Sequence, residues 1–250
     1  MNIRMIIFTT IIIIILILII RYYVVSNPIL TKLSNATVPQ TISASSLGSS
    51  NSVGSSNFAF SIWFYISNWN YRYGERKIIF GRMNNTTGKV DPSTDTTGAG
   101  PSPLVSLAAI SNDLEIALAY FPDKLTSGTS STPFISCPIQ NIPIQQWVNL
   151  TISVYGRTLD TYINGKLVKT CLLPGVANVN PAANVYITPN GGFEGSTTKF
   201  SYYSYALNPE QSWDIYQKGY GDGMLSNIFG KYQLNFTLSQ NGTEEASITI

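Results

Sequence analysis

Residues 147–168 read WVNLTISVYGRTLDTYINGKLV and decide the fold class. In the first half, apolar residues alternate with polar ones: Trp147, Leu150, Ile152 and Val154 against Asn149, Thr151 and Ser153. Such alternation is typical of a half-buried β-strand. The second half carries Asn164-Gly165 between two strand-like segments, and this dipeptide favours the two positive φ angles of a type I′ hairpin turn. The stretch therefore predicts antiparallel strands joined by tight turns.

Short β-branched and aromatic segments of the same kind lie on both sides of this stretch. They are Phe58–Ser67, Lys77–Arg82, Leu104–Ile110, Leu114–Tyr120, Val185–Thr188 and Lys199–Leu207. Residues 208–218 predict a short helix with Asn208 as its N-cap and Pro209 in its first turn. So many short strands favour an all-β fold, a two-sheet antiparallel jelly-roll sandwich.

The N-terminus has a different character. Met5–Ile20 reads MIIFTTIIIIILILII, and Tyr22–Val25 extend the apolar stretch past Arg21. About 20 apolar residues are enough to cross a bilayer as a helix. No small-residue cleavage site follows, so residues 5–25 predict one uncleaved transmembrane helix rather than a removed signal peptide.

The chain divides by composition into four parts: an anchor (1–25), a Ser/Gly-rich tether (26–57), a sandwich domain (58–218) and a C-terminal extension (219–250). Residues 231–238 alternate, and Asn241-Gly242 follows as a turn signal, so the extension predicts a β-hairpin. Two alternatives stay open for this hairpin. It completes the sandwich, or it pairs with the sheet edge of another chain.

The orientation of the anchor is the next expectation. Six N-x-[ST] sequons begin at Asn35, Asn84, Asn85, Asn149, Asn235 and Asn241, and they are candidates for glycosylation. The chain has two cysteines, Cys137 and Cys171, which predicted strand ends place within reach of a disulfide; two buried thiols are the alternative. Both features favour a large C-terminal domain on the lumenal or external side of the membrane.

Several motifs together resemble the LamG-like branch of the concanavalin A-like lectin/glucanase superfamily. They are Phe58–Phe64 (FAFSIWF), Trp147–Leu150 (WVNL), Leu159–Leu167 (LDTYINGKL), and Gly191–Gly195 followed by Phe200, Tyr205–Leu207 and Glu210. The resemblance covers residues 58–218 and implies a concanavalin A-like jelly roll. The anchor, tether and domain together also resemble membrane proteins of large DNA viruses, which implies a place at the interface of virion inner membrane and capsid.

Composition excludes several functions. The sequence has no histidine, which removes Ser-His-Asp and Cys-His catalysis and most zinc sites. Without Arg4 and Arg21, thirteen basic and thirteen acidic residues remain, so the body of the chain is neutral. A neutral body argues against nucleic acid as a partner. We expect no metal and no cofactor.

Carboxylates are also unsuitably placed for catalysis. Glycosidases of the superfamily use an E-x-D-x-x-E strand, which this sequence lacks. Asp113 and Glu115 are the nearest pair in spacing, and they lie at a predicted hairpin edge as solvated turn charges. Asp91, Ser93 and Asp95 have the 1-3-5 spacing of a calcium loop, but no Glu follows at position twelve, which favours a plain polar loop. The sequence therefore predicts a protein that is not an enzyme.

One cluster of cations suggests a partner. Arg72, Arg76, Lys77, Arg82 and Lys89 form the densest basic stretch, interleaved with aromatic residues. Such a stretch suits an anionic partner, and an ordinary solvated hairpin is the alternative.

Two functions from different classes fit these observations. The first is a non-enzymatic structural protein that ties a membrane to a protein shell or matrix, of the viral minor capsid or membrane type. Its partners would be the bilayer, through residues 5–25, and other structural proteins of a capsid or matrix. The second is a glycan-binding adhesion or receptor module of the lectin type.

Overall fold

The computed structural model describes residues 12–16, 28–48, 55–83, 100–122, 133–221, 235–240 and 243–249. Its strands, in chain order, are β1 (Ser34–Asn35), β2 (Gln40–Ile42), β3 (Phe58–Asn68), β4 (Lys77–Arg82), β5 (Leu104–Leu107), β6 (Leu114–Ala119), β7 (Phe134–Ile139), β8 (Trp147–Tyr155), β9 (Thr158–Ile163), β10 (Lys166–Leu172), β11 (Val185–Ile187), β12 (Glu194–Tyr203), β13 (Asn235–Gln240) and β14 (Thr243–Thr249). One α-helix, α1, spans Pro209–Gln217, and two short 3₁₀ helices span Ala44–Leu47 and Pro189–Gly191.

Strands β1–β12 form two six-stranded antiparallel sheets that pack as a sandwich. Sheet I has the order β1-β12-β3-β8-β9-β10, and sheet II has the order β2-β11-β4-β5-β6-β7. The predicted all-β, two-sheet antiparallel sandwich is therefore confirmed.

The alternation in β3 explains the core. Its residues Phe58, Phe60, Ile62, Phe64 and Ile66 all belong to the main buried cluster between the sheets. The aromatic rings of Phe80, Phe200 and Tyr202 lie 5.1–5.6 Å from the ring of Phe60, measured between centroids. Aromatic groups at these separations pack favourably beyond the area that they bury.

The opposite face of sheet I is covered by α1. Trp63 stacks on Tyr216 of α1 at 5.6 Å, and a Cβ on Gly165 would meet Trp213. Trp147 pairs with Tyr65 and lies on this outer face. The sequence pattern had grouped Trp147 with the core residues of β8, and that assignment is wrong because residue 147 has the parity of Asn149 and Thr151.

The α1 helix begins as the sequence predicts. Asn208 accepts a hydrogen bond from the backbone N–H of Gln211 at 2.8 Å, and the Gln211 side chain accepts one from the Asn208 N–H at 2.9 Å. This reciprocal capping box and Pro209 in the first turn fix the start of the helix.

Residues 28–48 belong to the sandwich, contrary to their prediction as tether. Strand β1 pairs with β12, β2 pairs with β11, and Ile29 bridges to Ser201. Ala36, Ile42 and Leu47 are buried in the main core. The Ser- and Thr-rich composition hid these short strands, because their partners lie more than 140 residues away.

The sandwich has two ends, named here by the path of the chain. The proximal end is where the chain joins at residue 28, where β8 ends at Tyr155 and β12 ends at Tyr203. The distal end carries the β9–β10 turn, in which Asn164 and Gly165 have φ angles of 51° and 73°. Both angles are positive, as the type I′ prediction requires.

The two terminal segments are described only in part. Residues 12–16 of the predicted anchor are helical, and the rest of residues 5–25 lies outside the described residues. Among the residues that are described, no helix has the length and apolar character needed to cross a membrane. Strands β13 and β14 pair with each other in a separate two-stranded sheet, which adds to neither six-stranded sheet.

Tyr203 gives a first testable prediction. Burial raises the pKa of Tyr203 to about 12. The unfolded chain loses this proton from about pH 10 and the folded chain keeps it, so stability falls as the pH rises. The contribution of this group is a loss of about 1.4 kcal/mol by pH 11.

Urea unfolding of the full chain at pH 7 and pH 11 measures that loss. We expect Tyr203→Phe to lose less stability between the two pH values than the parent protein. Tyr73→Phe, at an exposed position, is the matched control and should behave as the parent. Equal losses in all three proteins would contradict the prediction.

Candidate functional site

A groove lies between the edge strands of the two sheets, toward the distal end of the sandwich. Its volume is about 520 Å³, and its lining is formed by Pro138, Ile139, Gln140, Asn141, Ile142, Pro143, Ile163, Val168 and Lys169. Six of these nine residues are apolar, and Lys169 carries the only charge among them. The lining holds no carboxylate, hydroxyl or thiol, so it suits binding of an apolar group rather than acid–base or nucleophilic chemistry.

A disulfide closes the proximal side of this groove. Cys137 of β7 and Cys171 of β10 are joined, with their Cα atoms 6.3 Å apart, as the sequence had paired them. Each strand is the edge of its own sheet, so the bond ties sheet II to sheet I. The groove begins next to this bond, at Pro138 and Lys169, and extends toward the distal end.

The β5–β6 turn holds the rim of the groove in place. The Asn112 side-chain amide donates a hydrogen bond to the Ile142 carbonyl at 3.1 Å. The Ile142 N–H in turn donates to the backbone carbonyl of Asn112 at 2.8 Å. The Asp113 carboxylate accepts a hydrogen bond from the Asn141 N–H at 3.0 Å. Asn141 has a φ of 59°, a left-handed conformation that Asn tolerates well. The rim is therefore built before any ligand binds.

Hydrogen bonding also sets the charge of Asp113. The Ser111 hydroxyl, which donates at 2.7 Å, and the Asn141 N–H lower the pKa of the Asp113 carboxyl. Asp113 is therefore ionised at neutral pH and cannot act as a general acid. Glu115 is engaged elsewhere, since it pairs with Arg76 at 2.7 Å and accepts from Ser136 at 2.8 Å.

The predicted patch of cations does not form an open positive surface. Arg72 pairs with Glu75 at 2.5 Å and also donates to the Asn190 carbonyl, and Arg76 pairs with Glu115. These acids lie beside the cations and neutralise them. Lys89 lies outside the described residues.

The two remaining cations are buried. The Lys77 ammonium lies 4.6 Å above the Trp69 ring, and burial lowers its pKa. Arg82 is fully buried, and its guanidinium donates to the carbonyl oxygens of Asn180 at 3.1 Å and Ala183 at 3.4 Å. Arg82 thus holds the segment before β11 in place, and it is not available to an anionic partner.

The sequons are distributed unevenly. Asn149 is fully buried and donates to the Ser61 hydroxyl at 3.2 Å, while the Thr151 hydroxyl also donates to Ser61. A glycan therefore cannot be attached to Asn149 in the folded domain, and that candidate is wrong. Asn35 is exposed on β1. Asn84, Asn85 and Asn241 lie outside the described residues, and Asn235 lies in β13.

Half-exposed aromatic rings form a second feature, on the outer face of sheet I. Tyr220 stacks on Trp147 at 4.7 Å, and Trp147 contacts Tyr65 at 5.7 Å. Trp213 of α1 is also exposed. Trp63 is buried beneath α1, whereas Trp147 and Trp213 are partly exposed in the layer that covers sheet I.

Potential metal ligands do not form a cluster in the described part of the chain. No group of three or more His, Cys, Asp or Glu side chains that could hold an ion occurs there. The calcium-like spacing Asp91–Asp95 falls outside the described residues.

Sequence reasoning did not find the groove, because β7 was not predicted. The one signal that pointed there was the Cys137–Cys171 pair, which implied that the strand ends around residues 137 and 171 meet.

No protein-family model and no curated protein match the chain. Solved structures to which the chain shows similarity include the binding domain of botulinum neurotoxin serotype G (15% identity, TM-score 0.45, 64% of this chain and 36% of that one) and the receptor binding domain of botulinum neurotoxin D (16%, 0.47, 65% and 37%). A third is the binding domain of botulinum neurotoxin DC in complex with SialylT (14%, 0.47, 67% and 36%).

The chain thus spans little more than a third of the length of these domains. Similarity at this level assigns neither a ligand nor an activity. The resemblance to the LamG-like family stays a prediction.

Proposed function

We propose that this protein is a non-enzymatic, membrane-anchored structural protein that ties a membrane to a protein shell or matrix. Residues 5–25 would form the membrane span, with the sandwich on the lumenal or external side. The observation that carries the proposal is the apolar groove at the distal end, which lies away from residue 28, where the N-terminal segment enters. One end would then belong to the membrane and the other to the partner.

The chemistry of the groove favours a protein partner. Its apolar lining offers Ile139, Ile163 and Val168 to an apolar side chain, and Lys169 to a neighbouring carboxylate. Beside it, the edge strand β10 exposes Leu167 and Val168 to solvent. Apolar groups at an open sheet edge are typical of surfaces that pair with another chain. A partner segment with alternating apolar and acidic residues fits this surface best.

The class of partner follows from the sequence resemblance. Similarity to membrane proteins of large DNA viruses makes a capsid or matrix protein the proposed occupant of the groove. The proposed location is accordingly the interface between a virion inner membrane and its capsid.

Photocrosslinking at Val168 tests the partner. The full chain would carry a benzophenone amino acid at Val168, or at the exposed Val38 on the opposite edge as matched control, in its native membrane particles. We expect the Val168 probe to form one major adduct with a shell or matrix protein, and the Val38 probe to form none. Identical adducts at both positions, or no protein adduct at Val168, would contradict the proposal.

The glycan-binding alternative has one supporting observation, which is the exposed Tyr220 ring stacked on Trp147. Aromatic rings that are partly open to solvent suit the apolar faces of sugars. A glycan array with the full chain and with Tyr220→Ala distinguishes the two functions. Glycan binding that is lost in the variant would favour the lectin-type module over the structural role.

A further inference from the structure

We propose that the proximal end of the sandwich rests directly on the bilayer. This inference relies on the proposed function in one respect, namely that residues 5–25 span the membrane. It goes further because it assigns a lipid-contacting surface to described residues of the folded domain, and so fixes how the sandwich is oriented.

The first argument is the length of chain available. Leu30 donates its backbone N–H to the Phe200 carbonyl at 2.7 Å, and Ile29 bridges to Ser201, so the sandwich already begins at these residues. Only four peptide units separate Val25 from Ile29, and each spans at most 3.8 Å between Cα atoms. Ile29 therefore lies within about 15 Å of the end of the proposed span. A tether of 32 residues, as the sequence predicted, would have let the domain move freely relative to the membrane. The pairing of Ile29, β1 and β2 with the sandwich leaves no such length of free chain before the domain.

The second argument is direction. From Ile29 the chain runs along β12 toward Ser34 and Asn35, which pair with Thr197 and Ser196. That path leads from the proximal end toward the distal end. The membrane span consequently joins the domain from the proximal side.

The third argument is the surface found there. Tyr155 and Leu172 are each 68% exposed, and both pair with Thr158 in the last rungs of sheet I. Phe121 and Val176 are exposed beside them, joined by a backbone hydrogen bond of 2.8 Å. The register of the sheets thus collects four large apolar side chains at the end that the span enters.

More groups at this end suit a lipid headgroup region. Tyr205 is exposed just beyond the end of β12 and contacts Tyr203 at 5.8 Å. Tyrosine is enriched where membranes meet water, because its ring is apolar and its hydroxyl is polar. Arg157, in the β8–β9 turn, donates hydrogen bonds to the backbone carbonyls of Leu173 and Pro174. Its side chain is nevertheless exposed, so its positive charge faces the headgroup region of the proposed contact. Tyr, Leu, Phe and Arg together form the chemistry of an interfacial contact.

Depth measurement by fluorescence quenching tests this surface. The full-length protein would carry one added cysteine, Tyr155→Cys or, as matched control at the distal end, Tyr73→Cys. Both positions are exposed tyrosines, Tyr155 at the end of β8 and Tyr73 in the turn between β3 and β4. The native cysteines are joined in a disulfide and do not react with the dye. Each variant would be labelled with an environment-sensitive dye and reconstituted into liposomes that contain headgroup-nitroxide lipid.

We expect the dye at position 155 to show a blue shift and a loss of intensity in nitroxide liposomes, and the dye at position 73 to show neither. Equal quenching at both positions would overturn the proposed orientation. A blue shift at 155 without lipid quenching would also overturn it, because a protein would then cover this end.

Carbonate extraction of the same liposomes reports separately on the anchor. Protein that stays with the lipid while the dye at 155 remains unquenched would overturn the lipid contact and leave the anchor standing. Protein released by carbonate would overturn the span from residues 5–25, and with it the distance argument for Ile29.

Discussion

Replacing Phe60 with alanine is expected to lower the free energy of unfolding by about 3–5 kcal/mol. Phe60 is fully buried at the centre of the sandwich, where it contacts Phe80 from sheet II and Phe200 and Tyr202 from β12. Removing its ring loses the transfer free energy and leaves a cavity that three rigid rings cannot fill. A loss of this size is a large part of the 5–15 kcal/mol that stabilises an ordinary domain.

Urea unfolding of the full chain in mild detergent, followed by circular dichroism, measures this effect. Tyr73→Ala is the matched control, because it also removes an aromatic ring but from an exposed loop. We expect the control to change stability by no more than about 0.5 kcal/mol. A Phe60→Ala variant as stable as the control would mean that the two sheets do not pack through β3.

Loss of the disulfide is expected to cost about 3–4 kcal/mol, since the bond closes a loop across a sequence separation of 34 residues. The bond acts mainly by restricting the unfolded chain. It also joins the two strands that form the groove, so we expect the reduced protein to lose partner crosslinking at Val168 before it unfolds.

Comparison of the oxidised protein, the reduced protein and the double variant Cys137→Ala/Cys171→Ala measures both effects. The double variant should be as unstable as the reduced protein and insensitive to reductant. If reductant destabilised the double variant as much as the parent, the effect would not come from this bond.

Most strands of the sandwich could be predicted from local sequence. Strand β4 has the predicted bounds, and β8 covers the alternating residues that begin at Trp147, because alternation or a short β-branched run between turn residues is a local signal. The β9–β10 turn and the start of α1 were also predictable, since Asn164-Gly165 and Asn208-Pro209 act through their own backbone preferences.

Strands β1, β2 and β7 were not predicted from the sequence, because their formation depends on distant parts of the chain. β1 and β2 are two and three residues long, and their hydrogen bonds come wholly from β12 and β11. β7 contains Pro138, which argues against a strand in a central position but is tolerated at a sheet edge. Because the groove lies beside β7, the candidate site could not be predicted before this edge was known.

The basic residues between Arg72 and Arg82 show that site residues are equally hard to predict from local sequence. In sequence, Arg72 through Arg82 form a basic stretch, and charged residues are mostly exposed. In the fold, Lys77 and Arg82 are both buried. The Lys77 ammonium packs on the Trp69 ring, and the Arg82 guanidinium donates to backbone carbonyls. Those partners lie up to about a hundred residues away, and no local pattern indicates them.

The order of strands along the chain also determines when sheet I can form during translation. Ser34 of β1 leaves the ribosome 163 residues before its partner Thr197. At a synthesis rate of about 5–20 residues per second, β1 waits roughly 8–30 seconds for β12 to appear. Sheet I can therefore close only after β12 has been made. During that interval the inner face of β3 needs protection from aggregation, which makes the nascent chain a natural client for chaperones.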